Sequence, residues 1–489
     1  MSFVSFAFPL FFSFTLILYY GFRYFANGKF QWTILLCASY LFYGWVNPIF
    51  LLFIILSTVI TYLCTLKSKK WCIVLAIILH LGLLGFLKYA NFVIDTIDFF
   101  GAGISHIDSL ILPLGISFYT FQSIGYLIDV YRGTCGVERN IFKYALFVSY
   151  FPHISQGPIG RFEYVAPQLF ESHALEKINF EKGLYRILLG YFEKLVVAGR
   201  LAPYVTEVFN SPSSYSGLAL ALAVFFYSIY LYADFSGYMN IALGCSQCFG
   251  VKLDENFDTP YFSTSIAEYW RRWHITLGTW FKDYLYYPLL RSPLLMKINK
   301  SLFRKGHKAA AKNVTVTCAL TVVWFMTGLW HGAAWHYIAW GMWHGFFIIT
   351  STILCKQYAS MRKTLHIPEK SRFWHIFRIL RTYCIVLFGY VFFASHSIAD
   401  SIYIIRKIFT DFHLNSASIG QALLPFIPSN IAVSYALIAF LYIVIYFLYD
   451  VLKNKQFSLI CSFLWNVFMV ASIILFGYFG SSNFVYIQF

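Results

Sequence analysis

The sequence predicts an all-α protein that crosses a membrane many times. Of its 489 residues, 59% are hydrophobic and only 12% are charged, whereas a soluble domain carries about 25% charged residues. Several long segments are almost free of ionisable groups and approach the roughly 20 residues that a helix needs to cross the hydrocarbon core. These segments are 51–64, 73–86, 218–232, 431–448 and 459–478. The polar surface is therefore too small to cover a soluble globule of this size.

The basic residues predict which way the chain crosses the membrane. The net charge is +16, and its clusters are 67–70, 297–312, 356–381 and 453–455. Positive loops stay cytoplasmic, and counting the spans between these clusters places all four on one side. This predicts extracytoplasmic N- and C-termini, with residues 4–20 retained as a first span because no basic region precedes them. The clusters also suit anionic lipids or a phosphorylated cytoplasmic donor, although topology alone explains them.

Three segments in the middle of the chain do not have the pattern of simple spans. Segments 110–130, 142–158 and 254–290 are too polar, or too often interrupted by Pro and Gly. Irregular backbone at membrane depth is tolerated only where protein or a water-filled cavity satisfies its polar groups. We therefore expect the functional site in these segments. The chain shows no internal repeat and no soluble-domain linker, so residues 1–489 are interpreted as one membrane domain.

The first candidate for chemistry is His274. Ser265 and Glu268 form a capping-box pattern, which predicts a helix that begins at Ile266. Helical spacing places His274 on the apolar stripe of that helix. Its neighbours in sequence are Trp270, Arg271, Arg272 and Trp273. The alternative is a hydrogen-bonded core histidine on an interfacial helix.

The second candidate is His331, which lies at the end of a predicted span in a stretch rich in Trp, Gly and His. A titratable group in a membrane core is costly and indicates function by default, although a structural role stays open. Gly328 and Gly332 allow close approach of another backbone or of a thin acyl chain. His336 and His344 are expected where the aromatic belt meets water.

In acyl transfer to a hydroxyl, a buried histidine can act as the general base. The hydroxyl is a very weak acid, and an imidazole with a pKa of about 6.5 can take its proton and return it. Burial favours the neutral, basic form, and the surrounding aromatics exclude water that would hydrolyse a thioester. A metal site is not expected. His331 and His336 diverge on a helix, and Cys245 and Cys248 have no nearby His or second Cys pair.

Two polar islands interrupt otherwise apolar sequence. Asp234 begins the run Asp-Phe-Ser-Gly-Tyr directly after a clean span, and Gln156 begins the run Gln-Gly-Pro. The carboxylate of Asp234 is expected either at the membrane interface or inside a cavity, and the sequence leaves both alternatives open.

Through the motifs that contain these residues, the chain resembles the membrane-bound O-acyltransferase superfamily. The similarity is to its bacterial polysaccharide-acylating branch, which includes alginate and peptidoglycan O-acetylation proteins and the D-alanyl transfer protein of teichoic acids. The matching stretches occur in the family's order over roughly residues 1 to 400, with a signature core at about 110–350. They are 112–121, 129–132, 156–158, 234–238, 255–257, 270–275 and 329–332.

The resemblance implies a fold and a set of site residues. His331 matches the family's invariant catalytic histidine, and His274 matches its second signature histidine. The implied architecture is about eleven transmembrane helices, with re-entrant or interfacial helices, around a central tunnel that is open to both sides near His331. The expected substrate- and donor-binding residues are Gln156, Asp234, Trp270, Arg271, Arg272, Trp273 and Trp330. The match weakens after about residue 400.

The resemblance also implies an activity. An acyl group, acetyl above all, leaves a cytoplasmic thioester such as acetyl-CoA or an acyl carrier and reaches a cell-envelope polysaccharide, directly or through an extracytoplasmic esterase-like partner. His331 is expected to act as general base or transient acyl acceptor, and His274 to orient the acyl carrier or assist proton transfer. The expected location is the cytoplasmic membrane, with no bound cofactor, metal or nucleic acid. The alternatives are D-alanyl transfer to teichoic acid, a transporter without covalent chemistry, and a haem or quinone protein.

Overall fold

The computed structural model describes residues 1–25, 28–108, 110–154, 156–368, 370–423, 442 and 459–479. The regular secondary structure of these residues is helical, and among them no strand forms beyond one isolated bridge between Phe257 and Trp273. The all-α prediction is therefore confirmed for the described part of the chain. The predicted span at 431–449, the basic cluster 453–455 and the chain end at residue 489 lie outside it.

The described helices are joined by connections of different lengths. In chain order they are α1 (Ala7–Phe22), α2 (Gln31–Gly44), α3 (Ile49–Lys67), α4 (Lys70–Asp98), α5 (Ile116–Arg132), α6 (Ile141–Ser149), α7 (Phe151–Ile154), α8 (Phe162–Phe170), α9 (Lys177–Tyr191), α10 (Gly199–Asn210), α11 (Gly217–Cys248), α12 (Ile266–Arg272), α13 (Ile275–Phe281), α14 (Tyr287–Leu290), α15 (Pro293–Arg304), α16 (Lys308–His331), α17 (Trp335–Ile353), α18 (Cys355–Thr364), α19 (Arg372–Ala394), α20 (Ile398–Thr410), α21 (Ser416–Leu423) and α22 (Leu459–Phe476). Two π-helical turns, Phe192–Ala198 and Lys282–Tyr286, interrupt this series.

Several of these helices are long and apolar enough to cross a membrane. In the described residues α3, α4, α11, α16 and α19 meet both conditions, and the pair α17–α18, bent by 68°, makes a sixth if it is one span. The helices α1 and α22 are apolar but shorter. The chain is thus a multi-pass membrane protein, whereas the expected number of about eleven spans stays a prediction.

The described residues group into two compact units. The first contains the described parts of Met1–Lys194, Phe235–Glu255 and Trp465–Ile474. The second contains those of Leu195–Asp234, Asn256–Leu464 and Leu475–Phe489. Both candidate histidines belong to the second unit.

In the first unit, glycines bring α9 and the C-terminal half of α11 into backbone contact. A Cβ added to Gly190 would lie 2.6 Å from the carbonyl oxygen of Gly237, and one added to Gly237 would lie 2.9 Å from that of Gly190. Gly183 and Gly244 repeat this arrangement two turns away, at 2.8 and 2.6 Å. Small residues at this spacing allow membrane helices to approach closely. Gly237 of the sequence island at 234–238 therefore has a packing role.

In the second unit, α16 and α17 form a tightly packed hairpin. A Cβ on Gly328 would meet the carbonyl oxygen of Tyr337 at 2.5 Å, and one on Gly341 would meet that of Trp324 at 2.4 Å. Gly332 ends α16 against the Tyr337 ring, which leaves no room for a side chain at that position. At Gly328 the close neighbour is therefore another backbone, one of the two partners that the sequence allowed.

The polar segment 254–290 is broken into short helices, as its composition predicts. α12 begins at Ile266, and the hydroxyl of Ser265 accepts from the N–H of Glu268 at 3.1 Å, so the predicted start is confirmed. The expectation of one continuous helix through His274 is wrong, because α12 ends at Arg272 and α13 begins at Ile275.

The glycine contact between α9 and α11 gives a prediction about stability. We expect Gly237→Ala to lower the free energy of unfolding by about 1–3 kcal/mol, because the added methyl group meets backbone atoms that cannot move separately. The midpoint of thermal unfolding in detergent measures this change. Gly82→Ala in α4 is the matched control, since a Cβ there has no neighbour within 4 Å. Equal midpoints for both variants would contradict the close helix contact.

Candidate active site

His331 lies at the C-terminal end of α16 and is buried, with 1% of its surface exposed. Its Nδ1 lies 2.7 Å from the carbonyl oxygen of Thr327, one helical turn earlier. A carbonyl oxygen can only accept a hydrogen bond, so Nδ1 carries the proton and donates. In the neutral ring Nε2 then holds the lone pair. This hydrogen bond therefore leaves Nε2 as the basic nitrogen of the imidazole.

Aromatic rings surround His331 and link it to the second histidine. The rings of Trp330 and Trp340 contact it edge to face, with centroids 4.9 and 4.6 Å away, and Phe393 of α19 lies at 5.7 Å. Trp330 also contacts the ring of His274 at 5.8 Å. Trp330 thus contacts both imidazole rings, and the structure brings His274, Trp330 and His331 together.

His274 occupies the break between α12 and α13 and is fully buried. Its backbone is left-handed, with φ +46°, a conformation that costs a residue other than Gly or Asn of order 1–3 kcal/mol. Asn256 holds this turn. Its carbonyl oxygen accepts from the N–H of Ile275 at 3.1 Å, and its Oδ1 accepts from the N–H of Thr276 at 3.0 Å.

The same amide also contacts the imidazole. Oδ1 of Asn256 lies 3.4 Å from Nδ1 of His274 and 2.8 Å from the hydroxyl oxygen of Thr276. The first N–H groups of a helix have no partner within the helix, and here a residue from a distant part of the chain supplies one. Asn256 therefore sets both the backbone and the ring position of His274. It belongs to the stretch 255–257, and sequence reasoning gave it no role in the site.

His344 of α17 is not where the sequence placed it. It was expected where the aromatic belt meets water, but it has no exposed surface. Its ring contacts those of Trp270 at 5.2 Å and Trp340 at 5.4 Å, and lies nearly parallel to Tyr269 at 6.1 Å. The prediction was wrong because α12 and α19 cover this face of α17, which the local sequence does not show.

The two other tryptophans of the predicted site have different neighbours. Trp270 contacts Trp324 and Trp340 at 4.9 and 5.5 Å, so it belongs to the aromatic wall around His331. Trp273 instead packs on Phe257 and Tyr269, at 5.0 and 5.7 Å. Trp273 therefore anchors the turn that carries His274.

The predicted arginines lie at the end of α12. Arg272 forms an ion pair with Glu268 at 2.9 Å, one turn earlier, and Arg271 is exposed. Burial by itself raises the pKa of Glu268, but hydrogen bonds from Thr264 and the charges of Arg272 and Arg271 together lower it. Glu268 therefore stays ionised beside the arginines.

The two polar islands also contain buried residues. Asp234 lies on α11 with 2% of its surface exposed, so its side chain is buried in the protein. Gln156 belongs to the first unit and is buried, and its Oε1 has no hydrogen-bond partner among the described residues. Their expected roles in substrate binding stay predictions. Among the described residues, no group of three His, Cys, Asp or Glu side chains is placed to hold a metal ion.

Comparison with known proteins decides the family. The family model described as MBOAT, membrane-bound O-acyltransferase family, matches residues 136–397, which include both histidines. The chain belongs to this family. It is an O-acyltransferase, and the resemblance that its motifs carry is confirmed.

Several relatives cover most of the chain. The probable alginate O-acetylase of Pseudomonas syringae pv. tomato is 34% identical over 86% of this chain and 79% of its own length. The peptidoglycan O-acetyltransferase of Helicobacter pylori is 30% identical over 78% of this chain and 74% of its own. The teichoic acid D-alanyltransferase of Bacillus subtilis is more distant, with 28% identity over 59% of this chain and 70% of its own.

The turn at His274 gives a prediction about activity. We expect Asn256→Ala to reduce acyl transfer at least tenfold, because a loss of about 1–3 kcal/mol at the buried N–H of Thr276 displaces the turn. Initial rates of acyl transfer by the purified protein measure this. Asn299→Ala is the matched control, since its amide bonds to the carbonyl of Ala311 at 3.2 Å, away from both histidines. Wild-type rates for Asn256→Ala would show that the turn does not need this amide.

Proposed function

We propose that this O-acyltransferase moves an acetyl group from a cytoplasmic thioester, acetyl-CoA, to hydroxyl groups of a cell-envelope polysaccharide. The observation that carries the proposal is the hydrogen bond from Nδ1 of His331 to Thr327, which leaves Nε2 as a base. The names of the relatives support the chemistry, because those that cover most of the chain are called O-acetylases of alginate or O-acetyltransferases of peptidoglycan.

His331 acts as the general base in the proposed reaction. The acceptor hydroxyl oxygen attacks the carbonyl carbon of the thioester, and Nε2 takes the hydroxyl proton as the new C–O bond forms. The C–S bond then breaks, and the departing sulfur receives that proton from the imidazolium. The products are the ester and the free thiol, and His331 returns to its neutral form. Transient transfer of the acetyl group to Nε2 is the variant of this route that the sequence also allowed.

The aromatic wall serves the same reaction by excluding water. Trp330, Trp340 and Phe393 contact the imidazole, so bulk water has little space to reach a thioester beside it. The hydrogen bond to Thr327 and these ring contacts also fix the ring before substrate arrives. A preorganised base needs no rearrangement when charge develops. His274, whose ring contacts Trp330, orients the thioester or assists the proton transfer.

Similarity to the O-acetylases favours acetyl transfer to a polysaccharide over D-alanyl transfer to teichoic acid. The teichoic acid D-alanyltransferases match a smaller part of this chain, at lower identity, than the O-acetylases do. We place the protein in the cytoplasmic membrane, with both termini and the acceptor outside and the basic clusters on the donor side. The acetyl group reaches the polymer either directly, by the reaction above, or through an extracytoplasmic esterase-like partner that accepts it first.

The experiment is transfer of labelled acetyl groups from acetyl-CoA to envelope polysaccharide in membrane vesicles. We expect His331→Gln to lower labelling at least a hundredfold, because general base catalysis contributes about 10²–10⁴ to the rate. The glutamine keeps an amide N–H that can donate to Thr327, so the fold is preserved.

His375→Gln is the matched control, since His375 lies on the exposed part of α19. It should label the polysaccharide at the wild-type rate. Equal labelling by wild type and His331→Gln would rule out the proposed chemistry and favour a transporter that needs only a polar group at this depth.

A further inference from the structure

The first unit contains a group of buried polar atoms far along the chain from both candidate histidines. They belong to four buried side chains of α5, α6, α7 and the connection from α7 to α8. Among the described residues, no partner reaches Nε2 and Oε1 of Gln122, Oγ of Ser149, Nδ1 of His153 or Oε1 of Gln156. A buried polar group without a partner is costly, and native proteins rarely leave one so. These atoms therefore indicate that a molecule outside the chain supplies hydrogen bonds here.

The His153 ring is held in place by its other nitrogen. Nε2 lies 2.8 Å from the carbonyl oxygen of Phe147, so Nε2 carries the proton and donates. In the neutral ring Nδ1 is then an acceptor. The rings of Phe147 and Tyr150 contact the imidazole edge to face, with centroids 6.0 and 5.4 Å away. Nδ1 is therefore a fixed acceptor on a side chain that has no exposed surface.

Gly160 lies between this acceptor and the amide of Gln122. A Cβ added to Gly160 would lie 3.5 Å from Nδ1 of His153 and 3.7 Å from Nε2 of Gln122. The two nitrogens thus face one space beside the glycine, yet they form no hydrogen bond with each other. A methyl group of Val165 lies 3.2 Å from the same point. The space is therefore small and is lined by two polar atoms and one apolar group.

The two side chains restrict the chemistry of what binds between them. Nδ1 of His153 needs a donor, and the N–H of Gln122 needs an acceptor. A hydroxyl group or a water molecule provides both, whereas an anion has no hydrogen to donate and a metal ion has no lone pair to accept with. If the amide turns Oε1 toward the space, both protein atoms accept, and of the two candidates only water has two hydrogens to give. Water thus fits either orientation of the amide.

The size of the space also favours water. Gln122, His153 and Gly160 are all buried, and the space beside the glycine holds a group of about the size of a methyl. Proteins contain on the order of one buried water per 27 residues, and such waters bond to polar groups that otherwise have no partner. A single water molecule therefore matches both the volume and the polar lining.

We propose that a water molecule is bound beside Gly160, where it donates to Nδ1 of His153 and accepts from Nε2 of Gln122. It joins α5 to the connection between α7 and α8 and satisfies polar groups that a membrane cannot. The role of Gly160 is to leave room for this water. The inference does not depend on the proposed acyl transfer.

Two substitutions of Gly160 distinguish a bound water from a dry space. In Gly160→Ala the methyl group takes the space, with neighbours at 3.2–3.7 Å, and offers no hydrogen bond. We expect the midpoint of thermal unfolding in detergent to fall by about 2–4 °C, because two buried polar atoms lose their partner. In Gly160→Ser the hydroxyl reaches toward the same two nitrogens and should restore at least half of this loss. A dry space predicts the reverse order, since Ala fills a void and the larger Ser crowds it.

The backbone and a control position support this comparison. Gly160 does not have a positive φ, so a side chain there adds no backbone strain. Gly85→Ala and Gly85→Ser in α4 are the matched controls, because a Cβ at Gly85 meets no atom within 4 Å. At that position the Ser variant should be no more stable than the Ala variant.

The direct measurement is an electron cryo-microscopy map of the wild-type chain in nanodiscs, at a resolution that shows ordered water. We expect one isolated density at hydrogen-bond distance from Nδ1 of His153 and from the Gln122 amide, and its loss in Gly160→Ala. A map without density between these side chains would overturn the proposal even if neither variant folds. A density that continues into a larger molecule would assign the site to the hydroxyl of a lipid or sugar and equally overturn it. Wild-type stability of Gly160→Ala, or a Ser variant less stable than the Ala variant, would show that the space is dry.

Discussion

Polar backbone groups inside a membrane protein must find partners within the protein, and the site depends on how this constraint is met at His274. The chain stops being helical at Arg272 and resumes at Ile275, which frees two N–H groups at the start of α13. Asn256 accepts both. The break can therefore exist in a buried segment, and the imidazole that it carries contacts Trp330.

The surroundings of His331 depend on the close contact between α16 and α17. Glycines on α16 and α17 let the two backbones touch, and this places Trp340 of α17 against the imidazole at the end of α16. Phe393 of α19 closes a further side. The imidazole of His331 is thus held by one hydrogen bond and by rings from α16, α17 and α19. Buried aromatic rings around one imidazole fit the exclusion of water and the preorganisation that the proposed acyl transfer requires.

The sequence predicted those features that depend on local pattern. Apolar runs located α3 and α4, the Ser265 cap located the start of α12, and family motifs singled out both histidines. It failed where a distant residue decides the local structure. The apolar spacing predicted a helix that continues through His274. Nothing in the neighbouring sequence signals that the helix ends there, because the turn is held by Asn256, 18 residues earlier. His344 was placed near water for the same reason, since the packing of α12 over α17 is not visible in local sequence. From the sequence, the arginines of α19 indicated only the topology of the chain. The structure shows that Arg378 and Arg381 donate hydrogen bonds to Thr264, which precedes α12.

The most direct test of the account is an electron cryo-microscopy structure of the full chain in nanodiscs with a non-transferable acetyl-CoA analogue. The proposed mechanism predicts that the carbon replacing the thioester carbonyl lies about 4–6 Å from Nε2 of His331, because the acceptor hydroxyl oxygen must fit between them at about 3 Å from each. It also predicts that Nδ1 keeps its bond to Thr327. An analogue bound with its acetyl end against another wall, or a His331 ring enclosed on every side while the analogue occupies the protein, would contradict the role of this histidine as the base.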